Sequence, residues 1–472
     1  MHEDRKVDAL RRVILGIPAG RDLPHDNPGI ARAGTIQSAS LVGKDAGGGS
    51  GGALAGAHDE IDKEDGHGPI VPPNCVKTQT VVSAIPAASR PRPSTRVVAL
   101  VLYFAGIAIY SVMYIPQPIL PTLSAEYGIP PAIAALSVSL AVLAVAIASS
   151  FFGPLTDTLG TKQVMVASCG LLAIPTFLCA IAPNFPLFLV FRAMQGLLLP
   201  GVASVAVTYI GAEFQPGDVG RVVGNYIGAT VVGGMTGRVL SGLIASVTSW
   251  HAPFIFFAVV TALTAVLMSR VLPEQATSGQ SGMSRAQRDM FLHLGNKKLL
   301  GAFLVGGCVF FAFIGTFTYL PYYLTAPPFS LPQALVSGAY VVYIAGVFTA
   351  PVAGWLSARI PRRTLMVAGM AIAGLGILIS LIAVIPAIAL GTIVLCLGMF
   401  TAQSTAPAYV QATAETAKGG ASALYLTFYY LGATLGSFLP GLAWQAYGWA
   451  GVVACCIAAL VLGILAALRL CK

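Results

Sequence analysis

From Val97 onward the chain is built of apolar runs about 20 residues long, the length that crosses a hydrocarbon core of about 30 Å at 1.5 Å per residue. Twelve are legible, over 97–118, 132–152, 163–182, 185–209, 221–247, 252–272, 299–324, 335–357, 364–384, 386–410, 420–445 and 449–470. Only 10% of the residues are charged, against roughly 25% in soluble domains, so these runs belong in a bilayer. In lipid every backbone N–H and C=O must be satisfied within the segment, and runs of this length achieve that as helices. The expected fold is all-α and integral to the membrane, with 12 transmembrane helices.

Charge tests that count. With the amino terminus in the cytoplasm, the inside segments are the first 95 residues, 153–162, 211–220, 273–298, 357–363, 412–419 and the carboxyl end. Together with the helix-end residues Arg221, Arg270 and Arg469 they hold 25 of the 27 Lys and Arg, and the outside loops hold none. That is the positive-inside pattern, which a missed or extra helix would scramble. The protein is therefore expected in the cytoplasmic (inner) membrane, multi-pass, with both termini in the cytoplasm. Residues 1–95 mix Gly, Pro and both charge signs, include "GGGSGGALAGAHDE", and are expected to be a disordered cytoplasmic tail. "VILGIPAG" is too short for a signal-peptide core, so the first span is expected to serve as the insertion signal.

The spans repeat. "YIP" at 114–116 returns as "YLP" at 319–321, "GPLTDTLGTK" at 153–162 as "GWLSARIPRR" at 354–363, and "YIGAT" at 226–230 as "YLGAT" at 430–434. The offsets are nearly equal and the order is kept, which predicts two pseudo-symmetric six-helix bundles, 96–272 and 299–472, joined by a cytoplasmic linker loop, 273–298.

Three features suggest where function lies. In the expected loop 153–162, Gly153 and Gly160 allow a tight turn, and Asp157 falls near the start of the next helix, where the macrodipole favours an anion. Asp157 is also placed to pair with a base of the other bundle such as Arg359, a contact that would close one side; an ordinary solvated loop is the alternative. Second, Ala229, Gly233, Gly237 and Ser241 recur every fourth residue and Gly432, Gly436 and Pro440 repeat the spacing, giving smooth faces for sliding or for tight static packing. Third, Arg192 and Arg238 fall inside spans, about 10–14 Å deep, with no acid in any span to pair with. They align with Leu397 and Leu442 in the repeat, so the scaffold is duplicated and the charges are not. Two readings stay open: a site for an anionic or strongly polar group, or arginines that satisfy backbone carbonyls, a glutamine or water.

Gly153, Leu155, Asp157, Gly160 and Lys162 match G-x-L-x-D-x-x-G-x-K, and on this signature the chain resembles the major facilitator superfamily. The superfamily usually has bases where this chain has Thr158 and Thr161, which weakens the charge relay attributed to the loop. "RAMQG" at 192–196 resembles its R-x-x-Q-G element, and "GATVVGGMTGRVLSG" at 228–242 looks like its antiporter motif without the usual Gly-Pro pair. With "FYYLGATLGSFLPG" at 428–441 the pattern looks most like the YnfM and arabinose-efflux-like exporters. The resemblance implies a secondary transporter with alternating access, in which the first, fourth, seventh and tenth helices line the path. Substrate contacts are then expected from Arg192, Arg238, Gln195, Tyr110, Gln117, Tyr319, Tyr323 and Gln403, with Asn225 and Tyr429 as neighbours. Gating is expected from Gly153, Asp157, Gly160, Lys162, Arg359, Gly233, Gly237, Gly432 and Gly436. Tyr114, Tyr322 and Tyr447 read as interfacial aromatic residues.

Efflux of a small organic solute, coupled to protons, follows from the resemblance alone, since no span carries the Asp or Glu that proton-coupled relatives often hold. Import, anion exchange through Arg192 and Arg238, and a transporter-fold sensor using the tail as output are the alternatives. No G-x-x-x-x-G-K-[ST] loop is present to bind ATP, and no H-E-x-x-H or metal-spaced Cys or His set argues for an enzyme. The expected partners are the lipid bilayer and a small-molecule substrate; no cofactor beyond the proton gradient, no metal, no nucleic acid and no second copy is expected.

Overall fold

The computed structural model describes residues 93–275, 293–415 and 418–471. The expected tail, up to residue 92, and most of the expected linker loop, 276–292, lie outside these. Eleven helices among the described residues are long and apolar enough to cross a membrane. They are α1 (Thr95–Tyr127), α2 (Leu136–Leu159), α3 (Thr161–Ala180), α4 (Phe185–Glu213), α5 (Pro216–Val247) and α6 (Ala252–Val271), then α7 (Lys297–Thr325), α8 (Gln333–Leu356), α9 (Arg362–Ile379), α10 (Ile385–Thr413) and the segment Lys418–Leu470. That last segment has 53 residues, about 80 Å of helix, far more than one crossing needs. It breaks at Gly448, whose φ of 57° and ψ of −140° are open to glycine and strained for other residues. Beyond the break the chain doubles back, so that a Cβ on Gly451 would lie 2.4 Å from Ala443 O. The segment is thus two helices, α11 (418–447) and α12 (449–470), which makes twelve among the described residues.

In the first bundle α1 packs on α5 and α6, α2 on α4, and α3 on α4 and α6. In the second, α7 packs on α10 and α11, α9 on α10 and α12, and α8 on α10. The bundles meet where α2 lies against α11, α5 against α8, and the second half of α1 against α7. Lys162, Arg221, Arg362 and Arg363 lie near the starts of α3, α5 and α9, alternate helices that begin on the same side, called here the basic end.

Two local features depart from the sequence expectations. α1 runs nine residues past 118, through Pro116, Pro118 and Pro121, with the helical pattern interrupted at Ile115. A proline lacks the N–H that would bond the carbonyl four residues back, so Pro116 leaves Val112 O without its usual donor. Arg192 of α4 supplies it: Nη1 donates to Val112 O at 3.2 Å and Nη2 to Met113 O at 2.6 Å. The second departure is the loop expected at 153–162. α2 continues through Leu159 and Gly160 alone, at φ 88°, turns the chain into α3. Gly153 therefore lies within α2, and Asp157 sits in the last turn of α2 rather than at the start of α3.

The glycine faces hold each bundle together. A Cβ on Gly233 would lie 2.6 Å from Ile107 O and one on Gly237 2.3 Å from Ser111 O, both on the α1 backbone. Gly432 and Gly436 meet α7 in the same way, at 2.0 Å from Gly307 O and 2.3 Å from Phe311 O. Such approach trades side-chain volume for backbone contact, the usual packing device in lipid.

Candidate functional site

A cavity of about 500 Å³ lies between the bundles. Tyr110 and Tyr114 of α1 and Tyr226 of α5 form one wall; Phe310 and Phe313 of α7 with Tyr429 and Tyr430 of α11 form the other. Among the described residues, Arg238 of α5 is the one charged residue that lines it. Its Nε donates to Gln117 Oε1 at 2.5 Å and its Nη1 to Gly234 O at 2.6 Å. The guanidinium lies over the Tyr114 ring at 3.6 Å and over the Tyr343 ring at 4.5 Å, with Tyr340 at 5.7 Å. Cation–π attraction of this kind strengthens out of water, which helps offset the burial of a charge that has no acid beside it. Tyr340 and Tyr343 come from a 3₁₀ stretch, Ala339–Tyr343, inside α8. Three residues per turn stack positions i and i+3, so both rings are presented toward Arg238.

Two polar atoms around the cavity are buried without a hydrogen-bond partner, Tyr343 Oη and Gln403 Oε1. None of the described acids lines it, and none lies in the interior of a helix.

On the side away from the basic end the bundles are sealed. Gln117 Nε2 donates to Thr318 Oγ1 at 2.9 Å, Ser139 and Ser437 share a hydroxyl bond at 2.5 Å, and Gln333 Nε2 donates to Pro118 O at 2.6 Å. Tyr322 Oη donates to Leu120 O at 3.0 Å and lies 2.6 Å from Ser124 Oγ. Toward the basic end the cavity wall includes Val207, Ile227 and Leu426, all exposed.

A duplicated twelve-helix scaffold with a central cavity sealed on one side invites comparison with known transporters. The profile of the Major Facilitator Superfamily matches residues 102–436, most of the chain. The chain belongs to the Major Facilitator Superfamily. A transporter of Buchnera aphidicola subsp. Schizaphis graminum is 32% identical over 377 residues, covering 79% of this chain and 91% of that one. The inner membrane transport protein YnfM of Escherichia coli K12 is 32% identical over 385 residues, covering 81% and 92%. Among solved structures, a bacterial homologue of the human lysosomal transporter Spinster superposes with a TM-score of 0.68 at 14% identity, over 80% of this chain and 96% of that one. The protein is a multi-pass membrane transporter of the superfamily fold, not an enzyme.

Within this superfamily member the expected site residues separate. Tyr110, Arg238, Gln403 and Tyr429 line the cavity. Arg192 does not: it is fully buried inside the first bundle, where Nε donates to Ser137 O at 2.8 Å, Nη1 also to Gln195 Oε1, and the α1 carbonyls take the rest. Gln195 in turn donates to Thr176 Oγ1 at 3.0 Å, and a Cβ on Gly196 would lie 2.1 Å from Ala141 O. "RAMQG" thus ties α4 to α1, α2 and α3, and the pairing of Arg192 with Arg238 in one site is corrected: they grip the α1 kink region separately. Gln117 holds Arg238 and the seal. Tyr319 is buried in the seal, donating to Ser437 O at 2.8 Å, and Tyr323 stacks on Trp449 at 4.7 Å, so neither is a cavity residue. Asn225 is exposed and lines a separate hollow near Arg96 and Arg221.

The expected gating set is also redistributed. Asp157 and Arg359 form no ion pair with each other; Arg359, in the turn after α8, lies over Trp355 at 3.7 Å, and Lys162 reaches Glu274, just past α6, at 4.0 Å. Gly233, Gly237, Gly432 and Gly436 pack inside bundles rather than between them. Tyr114 and Tyr322 are buried at the cavity and the seal, because α1 extends well past the end expected for it; Tyr447 is 76% exposed. Sequence reasoning missed Tyr343, Phe310, Phe313 and Tyr430 as lining. One signal was available: the tyrosines of "YIGAT" and "YLGAT", Tyr226 and Tyr430, both face the cavity.

Proposed function

We propose that the protein exports a small organic solute across the inner membrane by alternating access, in exchange for protons, with its basic end and both termini in the cytoplasm. The observation that carries this reading is the seal on one side of the cavity alone. With the basic end inside, the cavity faces the cytoplasm and takes its solute there. Arg238, Gln117 and Thr318 form a hydrogen-bonded chain from the cavity into the seal. A solute that draws Arg238 away from Gln117 weakens the bond across the bundles, so occupancy favours opening of the far side. A single copy contains the whole cavity.

Inverted membrane vesicles energised to an acid interior provide the test. Solutes added outside should release lumenal protons, read as recovery of a quenched pH dye, and a cysteine at Arg221 should react with an impermeant maleimide in these vesicles and not in whole cells. Labelling from whole cells would overturn the orientation. Failure of every solute in a panel of acids, sugars and amines to release protons would overturn proton exchange.

A further inference from the structure

The proposed export leaves the solute unnamed, and the cavity's own chemistry narrows it. We infer that the cavity takes a ring-bearing organic anion, its acidic group on Arg238 and Tyr343 and a hydrogen-bond donor of the solute on Gln403; this rests on the reading of the cavity as the transport site.

The two buried arginines make the case by contrast. Arg192 has four acceptors for its five N–H donors, three of them backbone carbonyls, all from its own bundle. Arg238, just as buried, has Gln117 Oε1, Gly234 O and the Tyr114 side chain for five N–H donors, and its other contacts are the ring faces of Tyr114 and Tyr343. A carboxylate meets a guanidinium with two parallel hydrogen bonds, the strongest pairing available to a donor fork. Beside it Tyr343 Oη is an O–H with no acceptor, and Gln403 Oε1 is a carbonyl with no donor. Buried polar groups are nearly always satisfied, so these two ask for a ligand that accepts at one point and donates at another.

The body of the solute is set by the walls. Phe310 and Tyr429 stack at 3.8 Å with 11° between their planes, Phe313 lies within 22° of the plane of Phe310, and Tyr430 stands edge-on to the pair, so the lining is aromatic throughout. A planar ring packs on such a surface. A cation would meet Arg238 with no acid on the lining to receive it.

The test uses the full chain in lipid nanodiscs and three probes of one shape: 4-hydroxybenzoate, its neutral amide and the cationic 4-hydroxybenzylamine, with lactate as an acid lacking a ring. Calorimetric titration should show the aromatic acid binding at least about tenfold more tightly than the amide, and no binding of the amine or lactate. Arg238→Gln should abolish the preference for the acid. Because that change also frees Gln117, Tyr343→Phe serves as the milder variant: it removes a hydroxyl the protein itself does not use, and should weaken the acid about fivefold with the melting temperature unchanged. Tighter binding of the amine or amide, no binding of the acid at millimolar concentration, or unchanged acid affinity in both variants would overturn the inference. Binding of the acid without exchange of the radiolabelled compound in proteoliposomes would instead overturn the transport reading and leave this one standing.

Discussion

Gly237→Ala tests the packing that holds α1 against α5 below the cavity. A Cβ there would lie 2.3 Å from Ser111 O, 2.5 Å from Ser111 Cα and 2.8 Å from the Ser111 carbonyl carbon. These are backbone atoms that no rotamer change can move, and comfortable carbon contacts begin near about 3.5 Å, so the two helices must part by about 1 Å. Overpacking of this kind costs about 1–3 kcal/mol. Parting the helices also stretches the bond from Ser111 Oγ to Gly233 O, now 3.0 Å, worth about 0.5–1.5 kcal/mol, while alanine's helix propensity returns up to about 1 kcal/mol. The net loss expected is about 1–3 kcal/mol. Gly228→Ala is the control: nothing lies within 4 Å of its Cβ, so it keeps the propensity gain alone. Melting followed by tryptophan fluorescence in detergent should place Gly237→Ala below the parent and Gly228→Ala at or above it. Affinity for the aromatic acid should fall in Gly237→Ala as well, because Tyr114, under Arg238, lies one helical turn from Ser111. Equal melting temperatures for the two variants would refute the reasoning.

Arg192→Lys keeps the charge but loses the fork that reaches α1 and α2 together; it should cost about 2–4 kcal/mol in stability, and the ratio of acid to amide affinity should not change, since Arg192 does not line the cavity. A disulfide between Ser139→Cys and Ser437→Cys, whose hydroxyls lie 2.5 Å apart across the bundles, should lock the seal, stop solute exchange in proteoliposomes and release it on reduction; exchange that continues in the oxidised protein would argue against opening at this junction. An exported anion carries charge, and one elementary charge moving through 100 mV is worth about 2.3 kcal/mol, about 50-fold in concentration. Proteoliposomes with a potassium-valinomycin potential should therefore expel 4-hydroxybenzoate toward the positive side, more steeply still with proton exchange; a distribution indifferent to voltage would mean that a proton travels with the acid.

Much of the fold was legible in the chain because lipid imposes few solutions. The run lengths, the placement of the bases and the repeat of "YIP" and "YIGAT" led to twelve helices in two bundles. Errors fell where a distant residue overrides local sequence. The prolines at 116, 118 and 121 look like the end of the first span, yet α1 continues to Tyr127, because Arg192, 76 positions along the chain from Pro116, supplies the donor that Pro116 removes. "GPLTDTLGTK" reads as a ten-residue loop and is mostly helix, with one glycine making the turn.

The candidate site divides along the same line. Sequence alone picked out Arg192 and Arg238 as costly charges without an acidic partner, a statement about transfer into lipid that needs no coordinates. It also placed Gly233 and Gly237 on one helical face, since period and residue size suffice for that. Which arginine is satisfied by its own bundle, and which faces the cavity with donors to spare, was settled only by the tertiary structure. The physical reason is that a hydrogen-bond account depends on which carbonyls arrive from other helices: Val112, Met113 and Ser137 reach Arg192, and for Arg238 the corresponding space is filled by the faces of Tyr114 and Tyr343.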